Sequence, residues 1–248
     1  MPTDQTPLPS VIRAVFFDAG LTLIHSHPTL AERYIATLAE RGIAATQSEV
    51  QAALKRAGAL LLEATRADPD IWAADHKVQK HWQEYYVRAF QELGTGEASA
   101  ACAEALYEIY NRPGAWQLFP DVLPTLNDLH GRGYVIGVIS DWATSLPANI
   151  LLPLGVGPYV DFMVVSATLR EAKPSFGLYR EALSRAGVQP HEAMHVGDTY
   201  VNDILGARAA GIAGVLLDRD DLHNEPLDCP RIRSLEELPA LLKGISLP

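Results

Sequence analysis

The chain has 248 residues, 48% hydrophobic and 20% charged, with a net charge of −10. These values suit a water-soluble globular protein with one core domain and a sizeable insertion. The acidic balance argues against a broad nucleic-acid or anionic-membrane surface, while leaving room for a local basic pocket that takes one phosphate.

The opening MPTDQTPLPS lacks a basic region followed by an apolar run, so residues 1–10 read as a flexible tail rather than a signal peptide. No later apolar run approaches the ~20 residues of a membrane span. The first structured stretch is VIRAVFFD, a β-rich run that ends in Asp18, and Gly20 turns the chain directly after it. Residues 26–115 show no convincing strand. They carry about four helical patterns, one from Pro28 to the stop at Gly42 and another opened by Thr46 and Glu49 at capping-box spacing. The expectation is a helical insertion between residues 26 and 115, with a core built from 11–25 and 116–248.

From about residue 118 the texture changes. YVIGVIS, DFMVVSA, AMHVGD and AGVLLD are short apolar runs bounded by Gly, Pro or Asp, separated by helical patterns that end at glycine. Near-continuous apolar strands alternating with helices predict an α/β fold, a Rossmann-like parallel sheet covered by helices on both faces. Cys102 and Cys229 show neither metal-ligand spacing nor a disulfide framework, so a reducing, cytoplasmic setting is the expectation.

Polar residues fall at the strand exits. The first strand ends in Asp18 and the second in Ser140, which Asp141 follows; Lys173 lies in the loop after the third, and the fourth ends in Gly197-Asp198. Taken singly, each would pass for a helix cap or a solvated loop charge. In an open parallel sheet, however, the carboxyl ends of the strands line one crevice where ligands bind. Two acids, a hydroxyl and an ammonium at successive exits therefore point to one site.

FFDAGLTL, VIGVISD, AKP and HVGDTYVNDILGARAAG, in that order, resemble the four motifs of the haloacid dehalogenase superfamily of hydrolases. The insertion after the first motif resembles the helical cap of one of its subclasses. The resemblance implies Asp18 as nucleophile, attacking phosphorus or, in the dehalogenase branch, carbon. It further implies Ser140 and Lys173 as phosphoryl-binding groups, with Lys173 lowering the pKa of Asp18, and an anion-binding turn over Asp18, Ala19 and Gly20. Asp141 is placed with the phosphate-binding residues. Mg²⁺ is the expected cofactor, held by Asp18, Asp198 and the Gly20 carbonyl, with Asp203 either supporting these ligands from behind or acting through water. Thr22 is expected to brace the Asp18 loop through its hydroxyl. Asp198 stands where the metal-free dehalogenase branch carries a different residue, which favours a phosphatase acting on a small phosphorylated metabolite.

One position departs from the family pattern. Phosphatases of this superfamily usually carry a second Asp two residues after the nucleophile, as general acid and base; here that position is Gly20. His25, His27 and Asp141 are candidate substitutes, with His25 preferred. The alternatives are a metal-independent 2-haloacid dehalogenase and a non-catalytic Mg²⁺- and phosphate-binding protein. In the insertion, His76, His81, Trp82, Tyr85, Tyr86, Arg33 and Tyr34 are candidate substrate contacts, each with a competing reading as insertion core or surface. His195 reads as a satisfied core residue. Neither a nucleic-acid polymer nor a membrane is an expected partner, and the chain is expected to be a monomer or homodimer.

Overall fold

A computed structural model describes residues 11–223 and 227–243, so the expected tail at 1–10 lies outside the described residues. In chain order the strands are β1 (Ala14–Phe17), β2 (Ile24–Ser26), β3 (Trp116–Leu118), β4 (Val135–Ser140), β5 (Phe162–Val165), β6 (Ala193–Gly197), β7 (Ala213–Leu217) and β8 (Arg231–Ile232). The helices are α1 (Leu30–Ala39), α2 (Gln47–Ala67), α3 (Asp75–Glu92), α4 (Ser99–Tyr110), α5 (Val122–Gly131), α6 (Ser166–Leu169), α7 (Phe176–Ala186), α8 (Gly206–Ala209) and α9 (Leu238–Leu241).

Six strands form one parallel sheet in the order β5-β4-β1-β6-β7-β8. Successive residues of β1 serve opposite faces. Val15 and Phe17 pack with Leu126 and Leu129 of α5 and Leu238 of α9, while Ala14 and Phe16 pack with Leu178 and Ala182 of α7 and Ala207 of α8. This is the expected Rossmann-like layering: two buried faces need apolar residues at both phases of the strand, so the runs show no alternation. Beyond β1 the chain builds β4 and β5 on one side, then crosses to β6 on the other, making β1 the switch point of the sheet.

The helices α1 to α4 bury a core of their own around Tyr34, Leu38, Phe90 and Leu106. Both capping boxes at their start are formed, Thr29 with Glu32 and Thr46 with Glu49. The insertion is entered and left through a feature the sequence reading lacked, the antiparallel pair β2–β3, in which Ile24 faces Leu118 and Ser26 faces Trp116. Three-residue strands are too short to develop a period-two signal. After β6 the chain makes one wide turn at Tyr200–Leu205 before tightening into α8. Among the described residues no helix is long and apolar enough to cross a membrane.

Candidate active site

Asp18 follows β1 directly, and its N–H donates to the Val196 carbonyl of β6 (2.9 Å), which locks the strand exit in place. The turn after it is tight: Leu21 takes a left-handed φ of 58°, its N–H donates to Ile24 O (2.8 Å), and Ala19 O accepts from both Leu23 and Ile24. With the Asp18 N–H committed to the sheet, the Ala19 and Gly20 amides are the ones this turn would have left for an anion, and of the two residues only Gly20 lines the cavity described below.

Lys173 reaches Asp18 from the loop after α6. Its Nζ donates to Asp18 Oδ1 (2.6 Å) and to Asp203 Oδ1 (2.7 Å), and all three side chains are buried. Burial opposes the Lys173 charge, but the two carboxylates outweigh it and hold the ammonium's pKa well above its ordinary value. For Asp18 the balance tips the other way. Burial, helped by the Asp203 charge, raises its pKa in spite of Lys173, the reverse of the lowering expected from the lysine alone.

Of the two expectations for Asp203, its hydrogen bonds favour support from behind the site over a water-mediated contact to a metal. Its Oδ1 accepts from Lys173 and lies 3.0 Å from His195 Nε2, while its Oδ2 accepts from the Thr199 N–H (3.0 Å) and the Thr199 hydroxyl. Four partners fill the lone pairs of a carboxylate, so Asp203 holds Lys173 in place and has no lone pair left for a cation. Burial resists its ionisation, but Lys173 and His195 outweigh that and hold its pKa far below the usual carboxylate range. Gly197 makes the approach possible: a Cβ there would lie 2.3 Å from Asp203 Cγ. His195, expected to be fully satisfied, is half so; its Nε2 is engaged and its buried Nδ1 has no partner.

Thr22 is likewise corrected. Its hydroxyl is buried without a partner, and the loop is braced instead through the Thr22 carbonyl, which accepts from Arg219 Nη2 (2.8 Å). Arg219 is itself clamped by Asp121 through two bonds of 2.8 and 3.0 Å.

Asp18, Gly20, Ser140, Asp141, Lys173 and Asp198 all line one cavity of about 530 Å³. His25 is not among its lining residues: its ring packs 4.7 Å from Phe119 and its Nδ1 meets the Ser26 carbonyl (3.1 Å). Asp141 is placed better for proton transfer. Its Oδ1 accepts the Lys173 backbone N–H (2.9 Å), its Oδ2 is buried without a partner, and burial pushes its pKa up to about 7.

Asp198 supplies the test for a cation. Burial and the nearby Asp18 and Asp203 charges push its pKa up to about 8, and among the described residues it forms no ion pair. Two carboxylates disfavoured as anions, with hard oxygens and room for water, fit Mg²⁺, and Asp18, Asp198 and the Gly20 carbonyl are the groups that would hold it. No group of three or more His, Cys, Asp or Glu side chains in ligating proximity occurs among the described residues.

The far wall of the cavity comes from the insertion. Trp82, Tyr85 and Tyr86 of α3 line it, joined by Trp72, Tyr107, Tyr110 and Trp116, and by Trp142 just past Ser140-Asp141. The other candidates from the insertion do not line it. Arg33 is bonded to the His27 carbonyl (3.0 Å), Tyr34 is fully buried in the helical core, His81 packs on Trp72, and His76 is exposed. Trp72, Trp116 and Trp142 carry no sequence signal beyond a position close to a helix or strand end.

A family model for haloacid dehalogenase-like hydrolases matches residues 12–211. The chain belongs to this family. It is 31% identical over 238 residues to haloacid dehalogenase-like hydrolase domain-containing protein 3 of Danio rerio, covering 94% of this chain and 97% of that one. A glyceraldehyde 3-phosphate phosphatase of Methanopyrus kandleri is 27% identical over 237 residues, covering 89% and 95%. Among solved structures, a magnesium-bound hydrolase of this type from Bacillus subtilis superposes with a TM-score of 0.74 at 18% identity, covering 94% and 99%. At that identity the likeness speaks for the fold of this hydrolase.

Proposed function

We propose that this hydrolase is a Mg²⁺-dependent phosphatase that acts on a small phosphomonoester through an aspartyl-phosphate on Asp18. The observation that carries the reading is the pairing of buried Asp18 with Lys173 at 2.6 Å, beside an Asp198 that forms no ion pair of its own among the described residues. A cation-free displacement at carbon has no use for Asp198, whereas two carboxylates facing a phosphate dianion need neutralising charge. The phosphatase names of relatives such as the Methanopyrus kandleri protein support the same reading.

When bound, Mg²⁺ would offset the charge of the phosphoryl oxygens against the two carboxylates. The chain's own groups do the rest. The Ala19 and Gly20 amides, the Ser140 hydroxyl and the Lys173 ammonium bind and orient the phosphoryl group. An Asp18 oxygen forms a bond to phosphorus as the ester P–O bond breaks, and the leaving oxygen takes the proton of Asp141 Oδ2. Asp141, now ionised, accepts a proton from the water that attacks the aspartyl phosphate, releasing hydrogen phosphate and restoring Asp18. Asp141 so takes the place of the acid absent at Gly20.

The test is phosphate release from a phosphomonoester panel with and without Mg²⁺, in the native chain and in Asp18→Asn and Asp141→Asn. The expected result is Mg²⁺-dependent release that is abolished in Asp18→Asn. In Asp141→Asn it falls by about 10²–10⁴-fold, the usual worth of a positioned acid. Halide release from 2-haloacids without metal would establish the dehalogenase reading instead.

A further inference from the structure

The cavity has two chemically distinct ends. Its charged side chains, Asp18, Asp141, Lys173 and Asp198, all sit at the sheet end. Among the described lining residues the insertion contributes no Lys, Arg, His, Asp or Glu; its polar groups are neutral, the Ser26 hydroxyl, the Asn111 amide and tyrosine hydroxyls. A substrate carrying a second phosphate or a carboxylate beyond the scissile ester would find no cation there, and a buried unpaired charge is costly.

The neutral wall is aromatic and continuous. Trp82 stacks on Tyr86 (5.8 Å between centroids, 24°), and Tyr86 on Tyr110 (6.1 Å, 29°). Tyr110 meets Trp116 edge-on (5.4 Å), and Trp116 meets Trp142 edge-on (5.1 Å). Trp142 brings this wall to the reacting centre, because a Cβ on Gly20 would lie 3.3 Å from its ring. The position where relatives of this family usually carry an acid is thus flanked by an indole. Among the neutral polar groups of this wall, the Tyr110 hydroxyl is buried beside Ser26, and burial keeps it protonated by pushing its pKa to about 12.

We infer that the substrate is a phosphomonoester whose leaving group is an uncharged aromatic alcohol, its ring held along the Trp82–Tyr86–Trp142 wall. This rests on the phosphatase reading above and narrows it. A cavity of about 530 Å³ holds a bicyclic ring system with its phosphate at the sheet end. Rings offered to such a wall gain both buried area and edge or stacking contacts.

The experiment compares kcat/KM, with Mg²⁺, for 2-naphthylmethyl phosphate, D-glyceraldehyde 3-phosphate and O-phospho-L-serine. All three are esters of primary alcohols, so a preference reads the ring and not the acidity of a phenolic leaving group. The native chain should favour 2-naphthylmethyl phosphate by at least about tenfold, the worth of one or two aromatic contacts. Trp82→Ala and Tyr107→Ala should erase most of that margin by raising the KM for 2-naphthylmethyl phosphate more than that for glyceraldehyde 3-phosphate, while Trp82→Phe, which keeps a ring in the wall, should retain it. Equal or better Asp18-dependent turnover of either aliphatic ester overturns the aromatic assignment and leaves the phosphatase standing. No Asp18-dependent phosphate release from any of the three overturns both.

Discussion

At the scale of single residues, the site is organised by Asp203 more than by any group that would touch a substrate. Its four hydrogen bonds fix Lys173, His195 and the Thr199 turn at once, and the missing Cβ of Gly197 admits it. Removing one partner of a buried charged network leaves the others uncompensated. Asp203→Asn should therefore cost about 3–5 kcal/mol of unfolding free energy, read by urea denaturation. A loss under about 1 kcal/mol, the worth of an exposed pair, would mean the network is not structural. The sequence showed Asp203 only as an acid five residues after Asp198, and a metal role was the natural reading. What it could not show is how many donors converge on that carboxylate, because Lys173 and His195 arrive from separate elements.

At the scale of elements, the insertion is latched to the sheet by few contacts. Asp75, the first residue of α3, accepts from the Thr144 N–H (2.7 Å) and hydroxyl (2.6 Å), and the Trp72 carbonyl accepts from the Ser166 hydroxyl (2.7 Å). The Thr144 loop is the one that carries Asp141 and Trp142, so the latch joins the aromatic wall to the reacting end. Asp75→Ala removes exposed hydrogen bonds worth about 1 kcal/mol, too little to unfold the chain. The expected outcome is a KM raised about 3- to 10-fold with the melting temperature nearly unchanged, since closure of such insertions excludes water and positions substrate. An unaltered KM would show that the latch is idle. Helix starts and strand exits were legible because capping boxes and apolar runs are local. The aromatic wall was not: Trp72, Trp116 and Trp142 are brought together only by the packing of α3 and β3 over the sheet.

At the scale of the whole molecule, charge links stability to pH and metal. Asp141 and Asp198 have folded-state pKa values raised to about 7 and about 8 from an ordinary 3.8. A raised carboxylate binds its proton more tightly folded than unfolded. Its contribution is thus complete below the unfolded value and is lost as pH rises through the folded one. The metal-free protein should lose melting temperature between pH 5 and pH 8, on the order of 5 °C. Mg²⁺ should restore more of it at pH 8 than at pH 5, because fewer Asp198 carboxyls then hold a competing proton, and Asp198→Asn should remove the Mg²⁺ shift. A Mg²⁺ effect of equal size at both pH values would contradict this. The fold itself was largely readable from the alternation of apolar runs and glycine-stopped helices, since a parallel sheet imposes both.

The most direct measurement is mass spectrometry of the native chain, acid-quenched during turnover of a phosphomonoester with Mg²⁺ and digested. A single phosphoryl group on the peptide that carries Asp18, absent in Asp18→Asn, is the expected result. Steady phosphate release with no phosphoryl group on that peptide, and turnover that persists in Asp18→Asn, would contradict nucleophilic attack by Asp18.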